Sequence, residues 1–156
     1  MISLNTQKIK PYLWFNNHAK EAATFYCTLF QDAQITKESD LLVEFTLDGI
    51  SFVGLNGGPQ FSFTEAVSFM VLCQDQAEVD HLWQAFTSNG GEEGQCGWCK
   101  DKFGLSWQIV PQRFMEMMET GTPAQTQKVM EVMMPMKKMV IEAFEKAFNL
   151  ASIGQK

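Results

Sequence analysis

The sequence predicts an α+β fold, two βαβββ modules followed by C-terminal helices, and three observations carry that prediction. The order strand, helix, strand, strand, strand occurs twice along the chain. The two helices superpose position for position, Ala22 on Val79, Phe25 on Leu82 and Leu29 on Phe86. After Pro111 the pattern turns to helical spacing rich in methionine. A chain of 156 residues fits one domain, 1–156, with module one at about 8–59, module two at about 60–111 and a helical extension at 112–150.

Each element has its own signal. "IKPYLWF" at 9–15 is an apolar, aromatic run closed by the polar "NNH", which reads as a buried strand. In "AKEAATFYCTLF" Ala22, Phe25, Tyr26, Leu29 and Phe30 recur at three and four, one face of a helix. "AQIT", "LLVEFTLDG" and "ISFVGLNGG" are strand-like pieces between polar turns, the last ending in Gly57 and Gly58. The second module follows suit: "AVSFMVLC" is a strand, "QAEVDHLWQAFTSNG" a helix stopped at Gly90, and "EGQCGWCKD" and "GLSWQIVP" are strands. Asp75 and Glu78 open the second helix, where negative charge suits the dipole. Residues 112–150 hold eight of the ten methionines, in one helix stopped at Gly121 and Pro123 and another broken at Pro135. Such a stripe fits core filling or a dimer surface, because methionine packs irregular gaps.

Composition narrows the function classes. No apolar run approaches the ~18 residues of a membrane span, the first fifteen residues lack a secretory signal pattern, and a cytoplasmic protein is expected. A net charge of −6 gives no general attraction to nucleic acid or anionic lipid, so neither is an expected partner. Cys27, Cys73, Cys96 and Cys99 are too sparse for a disulfide scaffold. Cys96 and Cys99 have C-x-x-C spacing, but residues i and i+3 of a strand lie about 10 Å apart on opposite faces, beyond disulfide reach. His18 and His81 read as solvated, and Glu44 and Glu65 as cleft or rim carboxylates.

The paired modules, with "ATFYCTLF" in the first helix and the Gly-led strand "GLSWQIVP", resemble the vicinal oxygen chelate superfamily of glyoxalase I, bleomycin-resistance proteins and extradiol dioxygenases. "PYLWF", "LNGGPQFSFTEAVSF", "QCGWCKDKFGLSWQIVP" and "KVMEVMMPMKKMVIEAFEKAF" resemble its PhnB-like branch, labelled demethylubiquinone methyltransferase-like, over residues 8–149. The resemblance implies that each module curls into half of an incomplete barrel around a cleft, and that the protein is a homodimer. Metal-using members ligate a divalent ion through one residue of each module's first and last strands. Carried over by the repeat, those positions are Pro11 (Lys10 or Tyr12 if the first strand slips by one residue), Val53, Ser68 and Gln108. Proline and valine offer no ligand and serine a weak one, so no metal site is expected. No Gly-rich turn leads into a helix as a methyl-donor site requires, and no cofactor is expected.

Alternation along the strands then places Leu13, Leu55, Met70, Ser106 and Val110 on the cleft face with those four positions, and Phe52, Phe69, Trp107 and Ile109 toward the helices. Trp14 and Trp98 stand at the edge. The expected ligand-binding set is therefore Gln108, Ser68, Leu13, Val53, Leu55, Met70, Ser106, Trp14 and Trp98. A mostly apolar cavity with a few polar points suits a small aromatic or apolar molecule. Three readings follow: a metal-free small-molecule binding protein, a metal-independent enzyme (isomerase, lyase or methyltransferase-like) using Gln108, Ser68 or a rim carboxylate, or a structural dimer whose Met-rich tail binds a partner chain.

Overall fold

A computed structural model describes residues 7–153. The chain divides into two compact units, the first ending at Phe63 and the second beginning at Thr64. Unit one contains β1 (Tyr12–Phe15), α1 (Ala19–Cys27), β2 (Gln34–Glu38), β3 (Leu42–Leu47) and β4 (Ile50–Asn56). Its sheet has the order β1-β4-β3-β2, with β1 and β4 parallel and the other pairs antiparallel. The parallel pair forms because the helix carries the chain across the sheet before the strands return as hairpins. Asp48 (φ 51°) and Gly49 (φ 75°) make the β3–β4 turn, the left-handed pair a two-residue hairpin demands.

One sheet face is covered by α1, whose Ala19, Ala22, Ala23 and Tyr26 are buried. Leu13, Phe15, Val43, Phe45, Leu47 and Phe52 are buried with them, and Phe45 stacks on Phe52 with ring centres 5.5 Å apart. The helix ends at Cys27, so Leu29 and Phe30 lie beyond it.

Unit two repeats the arrangement with β5 (Ser68–Cys73), α2 (Gln76–Thr87), β6 (Glu92–Glu93), β7 (Trp98–Lys100) and β8 (Ser106–Pro111), in the order β5-β8-β7-β6. Asp75 caps α2 by accepting from the Glu78 backbone N–H at 2.9 Å, while Glu78 Oε2 accepts from Gln74 N at 2.8 Å. The helix buries Val79, Leu82, Trp83 and Phe86, and Phe86 stacks on Trp107 at 4.5 Å. "EGQCGWCKD" is not one strand: a turn separates β6 from β7, and Cys96 (φ 57°) and Gly97 (φ 81°) are left-handed within it. Their N–H groups donate to Met136 O and Lys137 O, so the C-terminal segment holds this turn in place.

Helices α3 (Gln112–Thr120), α4 (Pro123–Met133) and α5 (Ile141–Ile153) complete unit two. Thr122 and Gln125 form a reciprocal capping box ahead of α4, with Pro123 in its first turn. Phe114, Met117, Val129, Met133, Met139, Phe144 and Ala147 pack with Val110 of β8 into one buried cluster. Methionine is core filler at Met117, Met133 and Met139 and surface at Met115 and Met134. No helix among the described residues is long and apolar enough to cross a membrane.

Candidate functional site

Residues directly opposite one another on neighbouring strands put their side chains on the same face of a sheet. In unit two, Ser68 faces Ser106, Met70 faces Gln108, Trp98 faces Gln108 and Lys100 faces Ser106. These residues, with Leu72 and Glu92, occupy the face opposite α2, whereas Phe69, Cys99, Trp107 and Ile109 face the helix. Gln108 Nε2 donates to Ser68 Oγ at 2.9 Å, a diagonal contact across the parallel pair. That bond leaves the Gln108 carbonyl to accept and the Ser68 hydroxyl to donate. Met70 and Leu72 are exposed beside it.

A cavity of about 420 Å³ opens at the β6–β7 side, lined by Glu65, Trp98, Lys100 and Ser106 together with residues 92–95. Lys100 Nζ is paired with Glu65 Oε1. The pairing holds the Glu65 carboxyl below its usual range and raises the Lys100 ammonium, so both are charged at neutral pH. Glu92 is the direct cross-strand neighbour of Lys100. Glu93 points the other way, accepting from Trp83 Nε1 at 2.9 Å. Ser106, 1 % exposed, has a buried Oγ with no hydrogen-bond partner.

In unit one, Tyr12 faces Val53, Trp14 faces Leu55, and Glu44 faces Val53, all opposite α1. The Trp14 indole is fixed by the loop after β4: Nε1 donates to Gly58 O at 3.0 Å and the ring meets Phe61 edge-on at 4.9 Å. A Cβ on Gly57 would lie 2.3 Å from that ring, so a glycine at this position leaves the room that the indole fills.

Of the sequence-derived set, Ser68, Met70, Trp98, Ser106 and Gln108 share one face of unit two, and Trp14, Val53 and Leu55 one face of unit one. Leu13 is corrected. It is opposite Gly54, 6 % exposed, on the face packed under α1, because the parallel register seats Tyr12 rather than Pro11 beside Val53. Val110 keeps its face but is buried beneath the C-terminal helices. The sequence reading missed Lys100 and Glu92, and it named Glu65 without its partner. The signal lay in "CKDK", where Lys100 stands two residues from Trp98 on a strand and so shares its face.

A family model described as 3-demethylubiquinone-9 3-methyltransferase matches residues 7–110, both modules but for the last residue of β8. The chain belongs to this family. Among solved structures, a putative family member described as PhnB protein from Bacillus cereus is 29 % identical, with a TM-score of 0.63 over 67 % of this chain and 99 % of its own. A Pseudomonas aeruginosa protein follows at 18 % identity and TM-score 0.56, covering 69 % of this chain and 98 % of its own. The fosfomycin resistance protein FosX from Listeria monocytogenes, in complex with Mn(II) and sulfate, shares the fold at 14 % identity and TM-score 0.54, over 74 % of this chain and 98 % of its own. No curated protein matches the chain. The fold is that of the vicinal oxygen chelate superfamily, and helices α3–α5 lie beyond the matched family region.

The family name implies a methyl donor and the superfamily a divalent ion, and the residues here fit neither. The space over Gly57 is filled by Trp14, and Gly57 and Gly58 lead into a loop and strand rather than a helix, so they form no cradle for a nucleotide-like cofactor. At the positions the resemblance points to stand Tyr12 in place of Pro11, Val53, a Gln108 amide and a Ser68 hydroxyl, the last two bonded to each other. Among the described residues no three of His, Cys, Asp and Glu converge. Cys96 and Cys99 are both free: Cys99 faces α2, while Cys96 sits in the turn with Sγ 3.4 Å from Met134 O. It is therefore the turn, and not the strand spacing expected from sequence, that sets Cys96 apart from Cys99.

Proposed function

We propose that this family member is a metal-free binding protein for a small aromatic or apolar molecule, held against the face of β5, β7 and β8. The Gln108–Ser68 bond carries the reading. It turns two former ligand positions into a fixed acceptor and donor, set among Met70, Leu72 and Trp98. This combination orients a flat molecule by stacking and a few hydrogen bonds and holds little acid–base machinery. Assembly as a homodimer belongs to the same proposal, supported by the exposed apolar side chains Tyr12, Met70 and Leu72 on the two sheets.

Native mass spectrometry of protein purified without a metal-affinity tag tests it. A retained organic molecule on a dimer, weakened about tenfold by Gln108→Ala, is the expected result. Stoichiometric zinc, iron, manganese or nickel, or turnover of the retained molecule, overturns it.

A further inference from the structure

The cavity beside β7 has a charge count that selects its ligand. On the open face Glu65 and Glu92 flank Lys100, two carboxylates against one ammonium. Glu93 belongs to the helix side, where Trp83 and Lys137 engage it. The face is therefore short of one positive charge. A second observation points into the same cavity: the Ser106 hydroxyl, directly opposite Lys100, is buried without a partner. A buried hydroxyl left unsatisfied is destabilising, a cost that an alanine would avoid.

We propose that this cavity binds a monovalent organic cation, an ammonium carrying an aromatic or apolar body, and that Lys100 holds its place in the unliganded protein. The proposal rests on the binding-protein reading and names the ligand's charge. Lys100 has two carboxylates within its reach. It is bonded to Glu65, and Glu92 is its cross-strand neighbour. Transfer of the ammonium from Glu65 to Glu92 exchanges one solvent-accessible ion pair for another, a step of small net energy. The transfer releases Glu65 as counter-ion and uncovers Ser106 Oγ as an acceptor for a ligand N–H. Trp98, on the same face, offers its ring to the cation or to the attached aromatic body. With the ligand in place two cations balance two carboxylates and the hydroxyl gains its partner.

The test is a titration of the whole protein with benzylamine, benzoate and benzyl alcohol, read at the Trp98 indole N–H signal by NMR. Benzylammonium shifts the signal saturably, and about tenfold more tightly than the neutral alcohol. Glu65→Gln weakens the amine, Lys100→Met strengthens it, and Ser106→Ala weakens it without lowering the melting temperature. Preference for benzoate, or loss of amine binding in Lys100→Met, overturns the proposal. Benzyl alcohol binding that depends on Gln108 but not on Glu65 or Lys100 overturns the cation site alone and leaves the binding-protein reading standing. No shift with any of the three probes at millimolar concentration also overturns the cation site.

Discussion

Trp107 Nε1 donates to Asp101 Oδ2 at 2.9 Å, and both side chains are buried. Asp101 Oδ1 also accepts from the N–H groups of Phe103 and Leu105, at 2.9 and 3.1 Å. One carboxylate thus ties the β7–β8 turn to the aromatic that stacks on α2. Asp101→Ala strands three donors and is expected to destabilise the protein by about 3 kcal/mol or more, with Asp101→Asn milder. Urea unfolding with an unchanged slope measures it; a midpoint within error of wild type would refute the role.

Gly57 and Gly58 separate two reasons for glycine. Gly57→Ala drives a methyl into the Trp14 ring and is expected to cost about 1–3 kcal/mol. Gly58→Ala meets nothing within 4 Å and pays only for its left-handed φ of +96°, about 1 kcal/mol. Only the first is expected to alter Trp14 fluorescence.

Burial pushes the thiols of Cys73 and Cys99 up to about 12 from an ordinary 9.0. The folded state resists thiolate formation, so stability is intact below pH 9 and falls as the pH rises from 9 toward 12. Both thiols are expected to stay unreactive toward Ellman's reagent at pH 8 until urea unfolds the chain. Replacing both by alanine flattens the alkaline loss, and an unchanged slope would remove these groups as its cause.

Gln76, at the start of α2, clamps the extension with one amide: Nε2 donates to Met139 O at 3.0 Å and Oε1 accepts from Ile141 N at 2.8 Å. Lys138 adds an ion pair to Asp80 at 2.7 Å. Gln76→Ala is expected to cost about 1–3 kcal/mol and to speed hydrogen exchange at Ile141 while the β8 amides stay protected. Equal acceleration at both places would show global loosening instead.

The elements were legible because period is legible: the stripe Val79, Leu82, Trp83, Phe86 can only be a helix buried on one side. Strand register was not. Leu13 reads as an open-face residue because a four-residue strand carries too little alternation to fix its phase, and a slip of one residue reverses every side chain. Cys96 reads as a strand residue because nothing in "QCGW" announces a left-handed cysteine. The site was half legible. Ser68 and Gln108 followed from the repeat, but the orphaned Ser106 hydroxyl and the Lys100–Glu65 pair depend on three-dimensional neighbours that no spacing encodes.

The strand order β5-β8-β7-β6 sets a timetable for synthesis. Among the described residues β5 pairs with β8 alone, and β7 pairs with β8 as well, so an inner strand of the sheet is the last to be made. Until residues 106–111 leave the ribosome, Met70, Leu72 and the far side of β5 wait as an unpaired edge. The first unit meets the same rule at β4. A nascent chain arrested just before Ser106 should therefore carry one finished sheet, an open β5 and the short β6–β7 hairpin, a form vulnerable to proteases and to pairing with its neighbours on a polysome.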